Sequence, residues 1–247
     1  MRGFCNEAWV TVALSDTDVP RALTLSWSLK DVLTTRKLVV IASSQLSKSL
    51  KESLHLGFDF VFYLQPDLKP DGISEYDFGK LTAFTLVSFE KIALVSPDMM
   101  VTRNCDELFD GKVKEGMIWM ENREVPAAVI KPSIKTYNAL LKAIREKRRY
   151  AAAANFPNKL DSLQCGIISL KNGLFAGEEN DVCIVNLEGI SIEELKAKKD
   201  LGVIEKVVLE RWEGILNSYV HPLLQQNSLS TIMADNPTEN GTRNSLL

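Results

Sequence analysis

Histidine and cysteine are scarce in this sequence, which limits the catalytic, metal-binding and disulfide chemistry available to it. Among 247 residues there are two histidines, His55 and His221, and neither has a spaced partner that indicates catalysis or zinc. We therefore expect both on the surface. The cysteines form no CxxC pair, which predicts reduced thiols and a cytoplasmic protein, not a disulfide framework or zinc site. They are Cys5, Cys105, Cys165 and Cys183.

The sequence also lacks a block of one charge and a long apolar run. The 29 basic and 32 acidic residues are interspersed and give a formal net charge of -3. No positive stripe is available for nucleic acid or an anionic membrane, so neither partner is expected. No apolar segment reaches the length of a membrane span, and the N-terminus lacks the pattern of a signal peptide. The Asn240 glycosylation sequon is therefore expected to be idle.

Apolar strand-like segments alternate with amphipathic helical segments, which predicts an α/β fold with a mainly parallel central sheet. Gln65 to Phe78 is rich in proline, glycine and acids and is predicted as a loop. The predicted strands are Ala8 to Leu14, Leu38 to Ala42, Phe58 to Leu64, Lys91 to Val95, Gly116 to Met120, Ala127 to Lys131 and Cys165 to Leu170. The predicted helices begin at Pro20 and cover Ser47 to Leu56, Lys80 to Phe89, Ser133 to Lys147 and Ile192 to Lys199.

The predicted ligand site lies where the strands end. Open parallel sheets bind ligands beyond the carboxyl ends of their strands. The segments in that position are Leu14 to Asp18, Ser43 to Ser44 and Ser96 to Asp98. We expect the first and last of these segments to lie at neighbouring strand ends.

Five blocks of the sequence, in order, carry a resemblance to a known family. They are Glu7 to Val12, Thr34 to Val40, Val101 to Asp110 (VTRNCDELFD), Lys131 to Leu141 and Asn186 to Ile192. With these blocks the chain resembles the glycogenin branch of the family 8 glycosyltransferases from about Glu7 to Leu209. The resemblance implies a nucleotide-sugar-binding glycosyltransferase A-type fold, UDP-glucose as donor, and manganese as cofactor. It also implies glucose transfer to a tyrosine of the protein itself.

The metal ligands implied by the family are only partly present. The family's Asp-x-Asp motif corresponds here to Ser96, Pro97 and Asp98, and its later histidine corresponds to Leu209. A serine hydroxyl is a weak ligand for a divalent cation and leucine is none, so manganese affinity is expected to fall sharply. Asp98 either retains weak metal binding or caps a turn at the end of its strand.

Other donor-site positions are partly kept. Lys80 matches the family lysine that contacts the donor and is the candidate catalytic residue, since a lysine suits a diphosphate. The alternative is a solvated lysine at a helix start. At the end of the first strand, Val12, Leu14 and Ser15 offer backbone groups to a uracil, while Asp18 stands where the family has a stacking tyrosine. The sugar-pocket positions implied by the resemblance are Glu124 and Gln164, where the family residues have changed, and Asp161, where the family aspartate is kept.

The acceptor position is also changed. Glu193 stands where the resemblance implies the acceptor tyrosine, and a carboxylate cannot serve as a phenolic acceptor. Glu210 to Gly214 is similar to the short motif through which glycogenins dock on glycogen synthase, or else it simply continues the domain. Among the tyrosines that the chain does contain, Tyr219 is predicted to be the most mobile.

Three functions remain open from the sequence. The first is a partner-binding pseudoenzyme, with glycogen synthase, an active glycogenin or a second copy of the chain in a homodimer as partner. The second is an active hexosyltransferase with altered metal use, and the third is a UDP-sugar-binding module. Substitutions at several interacting sites favour the first. We expect one domain over residues 1–235 and a disordered tail over residues 236–247.

Overall fold

A computed structural model describes residues 6–109, 127–145, 166–169, 182–187 and 192–226. Its strands are β1 (Glu7–Ala13), β2 (Lys37–Ala42), β3 (Phe60–Tyr63), β4 (Lys91–Val95), β5 (Met99–Val101), β6 (Ala127–Ile130), β7 (Gly166–Ser169) and β8 (Val182–Asn186). Its α-helices are α1 (Asp18–Asp31), α2 (Lys48–Gly57), α3 (Glu75–Thr82), α4 (Ile134–Arg145), α5 (Ile192–Ala197) and α6 (Val203–Ile215). Short 3-10 turns cover Pro66–Leu68, Ala83–Thr85 and Asp106–Phe109, and a π-helical turn, Leu216–Val220, follows α6.

The central sheet has the strand order β3-β2-β1-β4-β6. β1 pairs in parallel with both β2 and β4, β2 pairs in parallel with β3, and only β6 runs antiparallel. The predicted α/β fold with a mainly parallel sheet is confirmed. Because β1 and β4 are parallel neighbours, their carboxyl ends meet at the same edge, as the sequence predicted. The chain leaves β1 toward β2 on one side and reaches β4 on the other, so this edge contains the topological switch point.

Apolar layers cover both faces of the sheet because successive side chains of a buried strand point to opposite faces. Trp9 and Ala13 of β1 pack on one face with α1 and α2 residues such as Leu25 and Leu54. Ala8 and Val10 pack on the other face with residues of α3 and α4, including Phe78, Leu81 and Ile144. Trp9 is 2% exposed and is one of the largest side chains of this core.

A polar cluster joins the amino-terminal ends of the sheet. Asp106 accepts hydrogen bonds from Trp9 Nε1 (3.2 Å), Thr34 Oγ1 (2.5 Å) and the Thr35 backbone N–H (2.8 Å). Arg36 lies 2.7 Å from the Glu7 carboxylate. These contacts give three of the blocks that carry the family resemblance a structural role, away from the carboxyl ends of the strands.

A second sheet with the order β5-β8-β7 lies beyond the end of β4. β5 pairs antiparallel with β8, and β8 pairs in parallel with β7. A small apolar cluster covers this sheet with α5 and α6: Met100, Val185, Leu187, Leu195 and Val208, with Leu209 and Trp212 packed against them. The second sheet and α6 were not predicted, and they bring the C-terminal part of the chain to the strand ends.

The helix predicted at Lys80 to Phe89 lies elsewhere. α3 begins at Glu75, because the Ser74 side chain caps it by accepting a hydrogen bond from the Asp77 backbone N–H at 3.0 Å. It ends at Thr82, and a 3-10 turn follows. The predicted loop over Gln65 to Phe78 is therefore wrong in its last residues. The strand predicted at Gly116 to Met120 lies outside the described residues.

None of the helices in the described ranges combines the length and the hydrophobicity that crossing a bilayer requires.

Candidate functional site

The candidate site lies at the carboxyl ends of β1 and β4. A hydrogen bond from the Thr11 hydroxyl to the Val95 carbonyl, 2.9 Å long and buried, joins the two strands just before they end. The loop after β1 leads into α1, and the turn Ser96 to Asp98 after β4 leads into β5. The strand ends therefore hold the predicted segments Leu14 to Asp18 and Ser96 to Asp98 side by side.

Asp18 fixes the loop after β1. Its carboxylate accepts hydrogen bonds from the backbone N–H groups of Leu14 at 3.0 Å and of Ser15 at 2.9 Å. The Ser15 hydroxyl bonds the Thr17 hydroxyl at 2.9 Å. The two N–H groups that the sequence offered to a uracil are thus already paired with a carboxylate of the same loop.

Asp98 forms an ion pair that the sequence did not predict. An Arg21 guanidinium nitrogen in the first turn of α1 lies 3.0 Å from an Asp98 carboxylate oxygen. The Asp98 side chain is 18% exposed, whereas the Arg21 side chain is 52% exposed. The Asp98 backbone N–H donates to the Ser96 hydroxyl oxygen at 3.3 Å, which holds the turn. The Ser96 hydroxyl therefore holds the strand-end turn, and the Asp98 carboxylate is paired with a positive charge.

A cleft opens beside this ion pair. It is lined by Arg21, Thr24, Asp98, Leu187 and Trp212, together with Pro97 and Met99. Leu187 reaches it because its backbone N–H donates to the Asp98 carbonyl at 2.8 Å. The cleft therefore brings together α1, the turn after β4, the end of β8, and α6.

Leu209 lies on α6, one turn before Trp212, and packs against the apolar cluster of the second sheet. Leu209 stands at the position of the family's histidine and lies in the same region as Asp98, but its side chain is apolar. Arg211 holds α6 in place by donating to the Thr102 carbonyl and pairing with Asp31 at 2.6 Å. Glu210 to Gly214 lies within this helix, so it continues the domain, as one of the two sequence interpretations proposed.

The residues present do not fit a divalent metal. The three positions that the resemblance assigns to metal ligands hold one carboxylate, already paired with a guanidinium, one serine hydroxyl that accepts a hydrogen bond, and one leucine in an apolar cluster. Across the described ranges, no group of three His, Cys, Asp or Glu side chains is placed to hold a metal ion. Hard cations require several oxygen ligands, and this set supplies too few.

Lys80 lies near the same end of β1. Gly79, beside it on α3, comes so close to the sheet that an added Cβ would lie 2.7 Å from Val12 Cγ1. The Lys80 ammonium lies 4.2 Å from the centre of the Tyr76 ring. Val12 itself is 1% exposed and lies within the sheet ladder. Lys80 as a donor contact remains a prediction, as does the role of the Val12 backbone.

The remaining predicted positions fall into two groups. Glu193 is an exposed residue in the first turn of α5. Tyr219, expected to be the most mobile tyrosine, instead belongs to the helical turn after α6 and stacks on Trp27 with ring centres 4.3 Å apart. Glu124, Asp161 and Gln164, predicted for the sugar pocket, lie outside the described residues.

Two curated proteins are similar to this chain in amino-acid sequence. The chain is 30% identical to glycogenin-1 of Mus musculus over 224 residues, which are 82% of this chain and 63% of the relative. It is 31% identical to glycogenin-1 of Homo sapiens over 156 residues, which are 58% of this chain and 44% of the relative. The chain is thus glycogenin-like, with similarity to a glycogenin over most of its own length. It spans about half to two thirds of the length of these glycogenins.

The solved structure of the galactosyltransferase LgtC, in complex with donor and acceptor sugar analogues, shows the same fold. The TM-score is 0.53 at 12% identity, over 86% of this chain and 96% of that one. The glycosyltransferase A-type fold predicted for this glycogenin-like chain is thereby confirmed. No family model matches the chain.

Sequence reasoning missed two residues of this glycogenin-like site, Arg21 and Trp212. Arg21 follows the predicted site segment Leu14 to Asp18 by only three residues, and that proximity was the available signal. Trp212 gave no such signal, because the second sheet that brings α6 to the cleft depends on pairing between distant segments.

Proposed function

We propose that this chain is a glycogenin-like glycosyltransferase domain that has lost self-glucosylation and acts as a partner-binding pseudoenzyme of glycogen synthesis. The observation that carries the proposal is the Arg21 and Asp98 ion pair. It joins the one carboxylate left of the Asp-x-Asp motif to a cation of the protein itself.

The loss of the metal follows from that pair. A divalent cation would stabilise the negative charge that builds on a leaving diphosphate. To bind here, it would have to displace the Arg21 guanidinium from Asp98 and would then find no further carboxylate at Ser96 or Leu209. The fold alone does not decide the matter, because one fold accommodates active and inactive members.

The acceptor side supports the same proposal. Glu193 is exposed on α5, so the position is accessible, but its side chain carries no hydroxyl to glucosylate. Metal site and acceptor are thus altered together in a chain that keeps the fold.

We propose glycogen synthase or an active glycogenin as the partner, and a homodimer as a further assembly. The cytoplasm is the proposed location, residues 1–235 the proposed domain, and residues 236–247 the proposed disordered tail. Glu210 to Gly214 is not a free docking peptide in this proposal, since Arg211 is paired with Asp31 and Trp212 lines the cleft.

Two measurements test the proposal. The purified chain is incubated with UDP-glucose and manganese and its intact mass is recorded, with an active glycogenin as positive control. No added hexose is expected, and a ladder of hexose additions contradicts the loss of activity. Sedimentation of the chain alone, with glycogen synthase and with an active glycogenin then tests partner binding; failure to form any complex contradicts that part.

A second candidate function is a nucleotide-sugar-binding module. Arg21 favours it, because more than half of its side chain remains exposed beside the cleft despite the ion pair. Calorimetry with UDP-glucose separates the functions. Metal-dependent binding favours an active hexosyltransferase with altered metal use, metal-independent binding favours a module, and no binding favours a purely partner-binding protein.

A further inference from the structure

The cleft beside α1 contains an arginine and an aspartate whose charges cancel. Arg21 and Asp98 are 3.0 Å apart, and the less buried of the two is the arginine. A guanidinium has five N–H donors, and one carboxylate cannot occupy all of them. Arg21 therefore keeps donors for a second anion that enters the cleft.

The charge of this pair has a consequence for ligands. In the arrangement implied by the family resemblance, two carboxylates and one divalent cation also cancel, and a diphosphate then binds to the cation. In this chain one of the two carboxylates is absent, because Ser96 stands at its position. The remaining carboxylate and Arg21 produce the same neutral site with no metal.

We propose that Arg21 supplies the positive charge that a divalent cation would otherwise supply, so that the cleft binds the diphosphate group of a nucleotide sugar without a metal. The planar guanidinium matches phosphate oxygens with two parallel hydrogen bonds. Asp98 pairs with one guanidinium nitrogen, and about half of the Arg21 side chain stays exposed beside the cleft that it lines. This inference rests on the proposed loss of the metal site but is independent of partner binding.

The base contributes little in this proposal. The Leu14 and Ser15 N–H groups are held by the Asp18 carboxylate and are not available to a uracil. Binding is therefore carried by the diphosphate. UDP and ADP are expected to bind with similar affinity, and inorganic pyrophosphate is expected to compete with both.

The test is calorimetry of the full chain with UDP, ADP and pyrophosphate in the presence of a chelator. Four variants are compared with the wild type: Arg21→Gln, Arg21→Lys, Asp98→Asn and Lys48→Gln. Lys48 is 75% exposed on α2, so Lys48→Gln makes the same change in net charge away from the cleft. Thermal unfolding of each variant shows whether it is folded.

We expect Arg21→Gln to weaken UDP binding about tenfold or more, the loss of a charge-assisted hydrogen bond, while Lys48→Gln leaves it unchanged. Arg21→Lys is expected to bind UDP with intermediate affinity, because it keeps the positive charge but loses the two parallel N–H donors of the guanidinium. Asp98→Asn gives the most diagnostic result. Removing its carboxylate frees the guanidinium and removes a repelling charge, so UDP should bind equally well or more tightly.

A metal site predicts the opposite results: no UDP binding by the wild type in the presence of the chelator, and loss of UDP binding in Asp98→Asn when manganese replaces the chelator. Loss of UDP binding in that variant, binding that appears only when manganese is added, or no binding by the wild type would each overturn the proposal. None of these results depends on hexose transfer or partner binding, so the proposed function is judged separately by mass and by sedimentation.

Discussion

Gly79 of α3 and Val12 of β1 approach so closely that a Cβ on the glycine would lie 2.7 Å from Cγ1 of the valine. Val12 is buried in the sheet and cannot move away, so Gly79→Ala overpacks the contact. We expect a loss of about 1–3 kcal/mol in the free energy of unfolding, measured by denaturant titration. The same change moves α3 away from β1, and with it Lys80.

Gly214 provides the matched control for that substitution. It lies in α6, and a Cβ there would meet no atom within 4 Å. Gly214→Ala is expected to stabilise the protein by up to about 1 kcal/mol, because alanine favours the helix more than glycine does. If Gly79→Ala proves as stable as the wild type, the close approach of α3 to β1 is wrong.

Glu205 should make the stability of α6 depend on pH. Its carboxylate accepts hydrogen bonds from Lys198 Nζ at 2.7 Å and the Gly202 backbone N–H at 2.9 Å, and these bonds lower its pKa below the ordinary 4.5. A lowered pKa in the folded state stabilises the protein above that value, and the contribution disappears as the pH falls through the folded-state pKa.

The variant Glu205→Gln therefore has a defined pH signature. At neutral pH its Tm should lie about 2–4 °C below that of the wild type, the range expected for loss of a helix cap in a domain of this size. Well below pH 4.5 the two Tm values should converge, because the wild-type carboxyl is then protonated as well. Glu210→Gln, an exposed change on the same helix, should show no such pattern. A difference in Tm that persists in acid contradicts the assigned role.

The main sheet could be predicted from the sequence because its strands are short apolar runs. The predicted strand Lys91 to Val95 matches β4, and Leu38 to Ala42 differs from β2 by one residue. α3 was misplaced because prolines, glycines and acids before it are typical of a loop. Glu75 and Asp77 are nevertheless favourable in its first turn, where acidic side chains interact well with the helix dipole.

The candidate site was predictable only in part. Its location at two strand ends follows from the parallel sheet, and Asp98 was correctly placed there. The partners of the site residues could not be predicted, because ion pairs and cleft walls depend on contacts between distant segments. Arg21 meets Asp98 only because α1 packs beside the turn after β4, and α6 reaches the cleft because it covers the sheet in which β5 pairs with β8.

Manganese should bind weakly to the free protein. The residues at the position of the motif leave one carboxylate, and that carboxylate is paired with Arg21. Titration of manganese followed by electron paramagnetic resonance is expected to show no micromolar site without nucleotide. Arg21→Ala alone should not create one, because Ser96 and Leu209 still supply no carboxylate or imidazole. A micromolar affinity in the wild type would contradict the assignment of Arg21 as the cation of the cleft.

The last prediction concerns self-glucosylation and what would restore it. With UDP-glucose and manganese, the wild type should gain no hexose in intact-mass measurement, because Glu193 offers no acceptor hydroxyl and the metal ligands are incomplete. The triple change Ser96→Asp, Leu209→His and Glu193→Tyr replaces the missing groups but leaves Arg21 beside Asp98. The guanidinium would then compete with the metal for the carboxylates at positions 96 and 98. We therefore expect little labelling from the triple variant and measurable labelling only when Arg21→Ala is added.

Equal labelling with and without Arg21→Ala would show that the ion pair does not exclude the metal. If the quadruple variant also gains no hexose, the residues that limit the transfer would be those of the predicted sugar pocket, at Glu124 and Gln164.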